Sequence, residues 1–122
     1  MERIKIAEES RSPYVLFDGD KATFEIGGIS AMEDAKAFYA PLIEALGKFK
    51  EEYKIPLDVT FDFHAFNTSS ARQILALMRE MAEVPSIIRW VYEMDDEDML
   101  EAGEDYQNMI GVNFVFEEKE VE

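Results

Sequence analysis

Cysteine is absent from this chain. Its absence excludes a disulfide framework, a thiol nucleophile and a thiolate metal site. Histidine occurs once, as His64, so no histidine-rich metal centre can form. Basic residues are scarce, 12 against 27 acidic ones, for a formal net charge of -15. A surface this acidic repels phosphate backbones and anionic lipid, so neither nucleic acid nor a membrane is expected as a partner. A partner with a basic face is favoured instead. No apolar run approaches the length of a membrane span, and the start, Met1-Glu2-Arg3-Ile4-Lys5, does not have the pattern of a signal peptide. The expectation is a soluble, cytoplasmic protein. Glycine-rich loops are missing too: Gly27-Gly28 has neither the spacing nor the number of glycines that cradle a phosphate.

What is present is enough for a core. The chain has 122 residues, 48% of them hydrophobic and 12% aromatic, and it contains no repeat or linker, so residues 1–122 are read as a single domain. Arg3 to Ala7 reads as a short strand and Glu8 to Ser12 as a loop ending at Pro13. Tyr14 to Phe17 and the alternating Ala22, Phe24 and Ile26 predict a hairpin turning at Asp18-Gly19. Gly27-Gly28 is expected to break that strand. Ser30 then caps a helix, with Glu33 completing a capping box. The helix is expected to run to about Tyr53 on a core face of Phe38, Tyr39, Leu42, Ile43, Leu46 and Phe49, with Pro41 kinking or breaking it. Lys48, Lys50 and Lys54 suit the solvated negative end of its dipole.

The informative stretch is Leu57 to Met81. Leu57, Val59, Phe61, Phe63 and Ala65 alternate with Asp58, Thr60, Asp62 and His64, which is a strand with one buried face. From Ala71 the period changes, and Ala71, Ile74, Leu75, Met78, Met81 and Ala82 share one side of a helix. Asn67-Thr68-Ser69-Ser70 stands at the switch. These residue types cap helices, and the free amides and positive dipole end there suit an anion, such as a phosphate on one of the hydroxyls. Plain capping accounts for the same residues. Asn67-Thr68-Ser69 also matches the glycosylation pattern, a match expected to be accidental since no signal peptide is expected.

Ile87 to Tyr92, apolar on both sides apart from Arg89, reads as an interior strand, with Trp90 and Tyr92 on one face. Asp95-Asp96-Glu97-Asp98 lacks calcium-loop spacing and is read as the cap and acidic first turn of a third helix. Met99, Ala102, Tyr106 and Met109 line that helix, and Gly103 is expected to shorten it or make it irregular. Val112 to Phe116 reads as a last strand and Glu117 to Glu122 as a frayed tail. The fold class is α/β: a mixed β-sheet with about three main helices.

Enzyme chemistry has little to stand on. His64 with Asp62 could form a general-base pair, but no nucleophile or metal set accompanies it.

Four segments, in order, carry a resemblance that covers nearly the whole chain. They are Phe17-Asp18 with Phe24-Glu25-Ile26-Gly27-Gly28 and Ser30; Phe38-Tyr39-Ala40-Pro41-Leu42; Phe66-Asn67-Thr68-Ser69-Ser70; and Trp90-Val91-Tyr92 through Asp95-Asp96-Glu97-Asp98-Met99 to Glu101-Ala102-Gly103-Glu104-Asp105-Tyr106. Together they resemble the SiaC family of bacterial regulatory phosphoproteins. The resemblance implies a fold like that of anti-sigma-factor antagonists (STAS type) and a non-catalytic partner-switching role in cyclic-di-GMP and biofilm signalling. It implies a protein kinase that phosphorylates Thr68, a PP2C-type phosphatase that reverses this, and a diguanylate cyclase activated by the unphosphorylated form. Asn67, Ser69 and Ser70 would flank Thr68 at the partner surface. No cofactor and no metal is implied. The chain departs from the family pattern at Glu9 to Ser12, where threonines are usual, and at Ala71-Arg72, where lysine is frequent. Two other readings stand beside it: an acidic protein-binding or ion-binding module using Asp95 to Asp98, and a small hydrolase using His64.

Overall fold

The computed structural model describes residues 3–52 and 55–120. Six strands form one sheet in the order of the sequence: β1 (Arg3–Ile6), β2 (Tyr14–Asp18), β3 (Thr23–Ser30), β4 (Leu57–Phe66), β5 (Ser86–Glu93) and β6 (Phe114–Lys119). β1, β2 and β3 pair antiparallel, and β3 through β6 pair parallel. Each parallel connection carries a helix: α1 (Ala35–Glu52), α2 (Thr68–Met81) and α3 (Glu97–Ile110). Right-handed crossovers between successive neighbouring strands place such helices on one side of a sheet. The burial agrees. Phe24, Ile26, Val59, Phe61, Ile88 and Trp90 join Tyr39, Leu42, Ile74, Leu77 and Met78 in one core, while Glu25, Thr60, Asp62 and Arg89 line the opposite face. No helix among the described residues is long and apolar enough to cross a membrane.

Several expectations need correction. β3 does not break at Gly27-Gly28 but continues to Ser30. Gly27 is there for close approach, since a Cβ would lie 2.5 Å from the Asp62 carbonyl oxygen, and Gly28 has φ +94°, where a side chain is strained. Ser30 is therefore the buried end of a strand and not a helix cap. Asp34 takes the capping role, accepting from the Ala37 amide at 3.1 Å. α1 passes Pro41 without a break and ends at Glu52, and Tyr53 and Lys54 lie outside the described residues. Lys50 is not a solvated helix end: its Nζ lies 2.9 Å from Glu80 and 3.0 Å from Glu83, joining α1 to the end of α2.

The alternation in β4 slips near its end. Gly28 pairs with Phe63 but Ile29 pairs with Ala65, so His64 is an extra residue and the strand bulges. The phase flips there: Ala65 is exposed, and Phe66 turns toward Phe63, Trp90 and Tyr106. α3 is neither short nor irregular. It runs 14 residues, and Gly103 is what lets it lie against Trp90. β6 begins at Phe114 and runs through the charged segment to Lys119, whose Nζ reaches Asp62 at 2.7 Å.

Candidate functional site

The site begins with Asn67, whose extended backbone (φ -90°, ψ 176°) ends β4 and starts α2. Every polar group of this residue is used. Its Oδ1 accepts from the Ser70 amide at 2.9 Å and from the Ser69 hydroxyl at 3.4 Å. Its Nδ2 donates to the Met32 carbonyl at 3.2 Å, its amide to the Ser30 carbonyl at 3.0 Å, and its carbonyl accepts from the Ala71 amide at 2.9 Å. Asn67 is thus both an N-cap and the tie between this turn and the β3–α1 connection.

α2 begins at Thr68, three residues earlier than the apolar period suggests, and this separates the three hydroxyls. Thr68 and Ser69 are exposed. The Thr68 hydroxyl makes no hydrogen bond among the described residues. Ser70, expected beside them at the partner surface, is turned inward with 0% exposure. It occupies the third helical position, where the side chain points at the core. The Ser30 hydroxyl donates to Ser70 Oγ at 2.8 Å, and a second bond of 2.8 Å joins Ser30 Oγ to the Tyr39 hydroxyl. Burial pushes the Tyr39 phenol well above its ordinary pKa, so it stays a neutral partner in this network.

Thr68 stands on the rim of a groove of about 320 Å³ between α2 and α3. Phe66, Ala71 and Leu75 form one side of it; Ala102, Tyr106 and Met109 form the other. Tyr106 fixes the groove's width by donating to the Ala71 carbonyl at 2.8 Å. Burial raises its hydroxyl pKa, so this donor persists at ordinary pH. Met109 is 53% exposed, an apolar side chain offered to solvent at the groove mouth. Arg72 and Asp105 add one charge of each sign. The sequence does not mark the α3 half of this groove as a site; its pointer is the helical spacing of Ala102, Tyr106 and Met109, which reads equally well as core.

The other candidate residues do not converge. His64 is exposed on the bulge, with Nδ1 3.2 Å from Glu93, while Asp62 is taken by Lys119, so the His64–Asp62 pair does not form. Asp96 caps α3 by accepting from the Met99 amide at 3.1 Å. Among the described residues no three His, Cys, Asp or Glu side chains cluster as a metal site would need.

This fold has solved counterparts. Apo-SiaC from Pseudomonas aeruginosa is 22% identical, with a TM-score of 0.83 over 96% of this chain and 99% of that one. The SiaC of P. aeruginosa in complex with the diguanylate cyclase SiaD, of which it is the activator, is 21% identical, with a TM-score of 0.85 over 95% of this chain and 99% of that one. No curated protein sequence matches. The sequence itself matches the description "SiaC family regulatory phosphoprotein" over residues 6–119, nearly its whole length, and the chain belongs to that family.

Proposed function

We propose that this protein is a partner-switching regulator with no catalysis of its own, acting in the cytoplasm. A protein kinase phosphorylates Thr68 and a PP2C-type phosphatase removes the phosphate. The unphosphorylated form binds and activates a diguanylate cyclase, coupling the switch to cyclic-di-GMP and biofilm formation. Family membership supports this reading, as does the complex of the P. aeruginosa relative with its cyclase. The observation that carries it is the division of the three hydroxyls: Thr68 is exposed on the rim of an apolar groove, without a hydrogen bond among the described residues, whereas Ser70 is sealed in the core.

The physics of an off-switch fits this position. A phosphate brings about -1.5 to -2 charge at pH 7. Within the domain it is tolerated, because it sits at the positive end of α2. Across an interface it adds bulk and charge where the partner meets a neutral hydroxyl, so affinity falls through repulsion and desolvation. Asn67 holds the turn rigid, Ser69 shares the exposed face, and Ser70 supports it from beneath.

The test is phosphorylation of the purified protein by its candidate kinase with ATP, read by intact mass and peptide sequencing. A single phosphate on Thr68, abolished by Thr68→Val, is the expected result. An active kinase that leaves Thr68 bare would refute it.

A further inference from the structure

Arg72 is the one basic residue among the described residues lining the groove beside Thr68. It is exposed and makes no hydrogen bond or ion pair among the described residues, in contrast to Arg89, which pairs with Asp58 and Glu117. Thr68 and Arg72 are four residues apart in α2, so their side chains lie one turn apart on the same helix face, with Cβ atoms roughly 5–6 Å from each other. An acid placed N-terminal to a base at this spacing is the favourable order. A guanidinium can grip a phosphate through two parallel N–H donors.

We propose that Arg72 is the intramolecular partner of a phosphate on Thr68, so that modification alters the groove by occupying its cation as well as by adding charge. This deepens the functional reading above and rests on Thr68 as the phosphoacceptor. In the bare form Arg72 is free to receive a carboxylate from a docked partner. In the modified form the guanidinium is drawn one turn toward the start of α2, and the remaining charged group on the groove lining, Asp105 on α3, is left without a cation opposite it. The groove changes from one charge of each sign to net negative, with no movement of the backbone.

The experiment uses the full chain with phosphothreonine installed at position 68 during translation, so that no kinase is needed. Phosphorus NMR follows the second ionisation of the phosphate. Asp105 faces the groove from α3 and pushes that ionisation to higher pH in every variant alike. With Arg72 present, the ionisation should fall about half a unit lower than in Arg72→Gln, roughly a threefold difference in proton affinity. Arg72→Lys should lie between, since an ammonium supplies charge without the fork. Arg79→Gln, at the far end of α2, should superpose on the parent. Superposition of the Arg72→Gln curve on the parent would overturn the proposal. A kinase that never modifies Thr68 would sink the functional reading and leave this result standing.

Discussion

A methyl group at Gly103 would lie 2.5 Å from Cδ1 of Trp90, whose Nε1 donates to the Met99 carbonyl at 2.9 Å and so cannot swing aside. At Gly47, inside α1, the same methyl meets nothing within 4 Å. Helix propensity favours alanine over glycine by about 1 kcal/mol at both positions, but overpacking costs roughly 1–3 kcal/mol at the first alone. Chemical denaturation should therefore show Gly103→Ala less stable than the parent by up to about 2 kcal/mol, and Gly47→Ala more stable by about 0.5–1 kcal/mol. Equal effects at the two positions would contradict the tight seat of α3 on Trp90. The same contrast shows where residue-scale reading of a sequence stops. Propensity marks both glycines as costs, because the neighbour that makes one of them necessary, Trp90, arrives from β5. Ser30 fails in the same way: Ser followed three residues later by Glu33 is a capping signal, and only pairing with β4 carries the strand through it.

At the scale of elements, local chemistry was legible wherever the chain itself supplies the partner. Asn67 and Asp96 cap α2 and α3 with their own side chains, as residue type predicts. The alternation of β4 was legible up to Phe63 and misleading beyond it, because a bulge leaves no mark in a hydrophobic pattern. The reach of β6 into a charged segment was hidden too, since Lys119 is satisfied by Asp62, 57 positions away. The α1–α2 join offers a test at this scale. The hydrogen bond from Lys50, with the neighbouring Glu80 carboxyl contributing after it, holds the Glu83 carboxyl below its ordinary 4.5, and accepting by Glu80, then Glu83, raises the Lys50 ammonium. The stability from Glu83 is thus present above pH 4.5 and is lost as pH falls through its lower folded value. That from Lys50 is present below its ordinary value and lost only as pH rises through its higher one. Thermal melts should show Lys50→Met below the parent at pH 7. The gap should narrow steadily in acid, below the ordinary carboxyl value. A gap independent of pH would mean that Lys50 acts through its aliphatic stem.

At the scale of the molecule, the proposed switch separates stability from binding. Thr68→Asp places a charge at the first position of α2, where the dipole favours it by about 0.3–1 kcal/mol. The unfolding midpoint should hold or rise, while affinity for the proposed cyclase partner should fall at least roughly tenfold, about 1.4 kcal/mol. A variant that loses both together would point to a damaged fold in place of a blocked surface. The strand order carries a consequence of another kind. Each strand after β1 pairs with the one made just before it, so no part of the sheet waits for a distant segment to be synthesised. Each parallel pairing closes over a single intervening helix and never over a more distant element. A nascent chain can complete the antiparallel β1–β3 unit first and then add one helix and one strand at a time. The turn bearing Thr68 falls in the middle of that series. It takes its final shape once β3 and the β3–α1 connection exist to receive Asn67, and before α3 arrives to form the far wall of the groove.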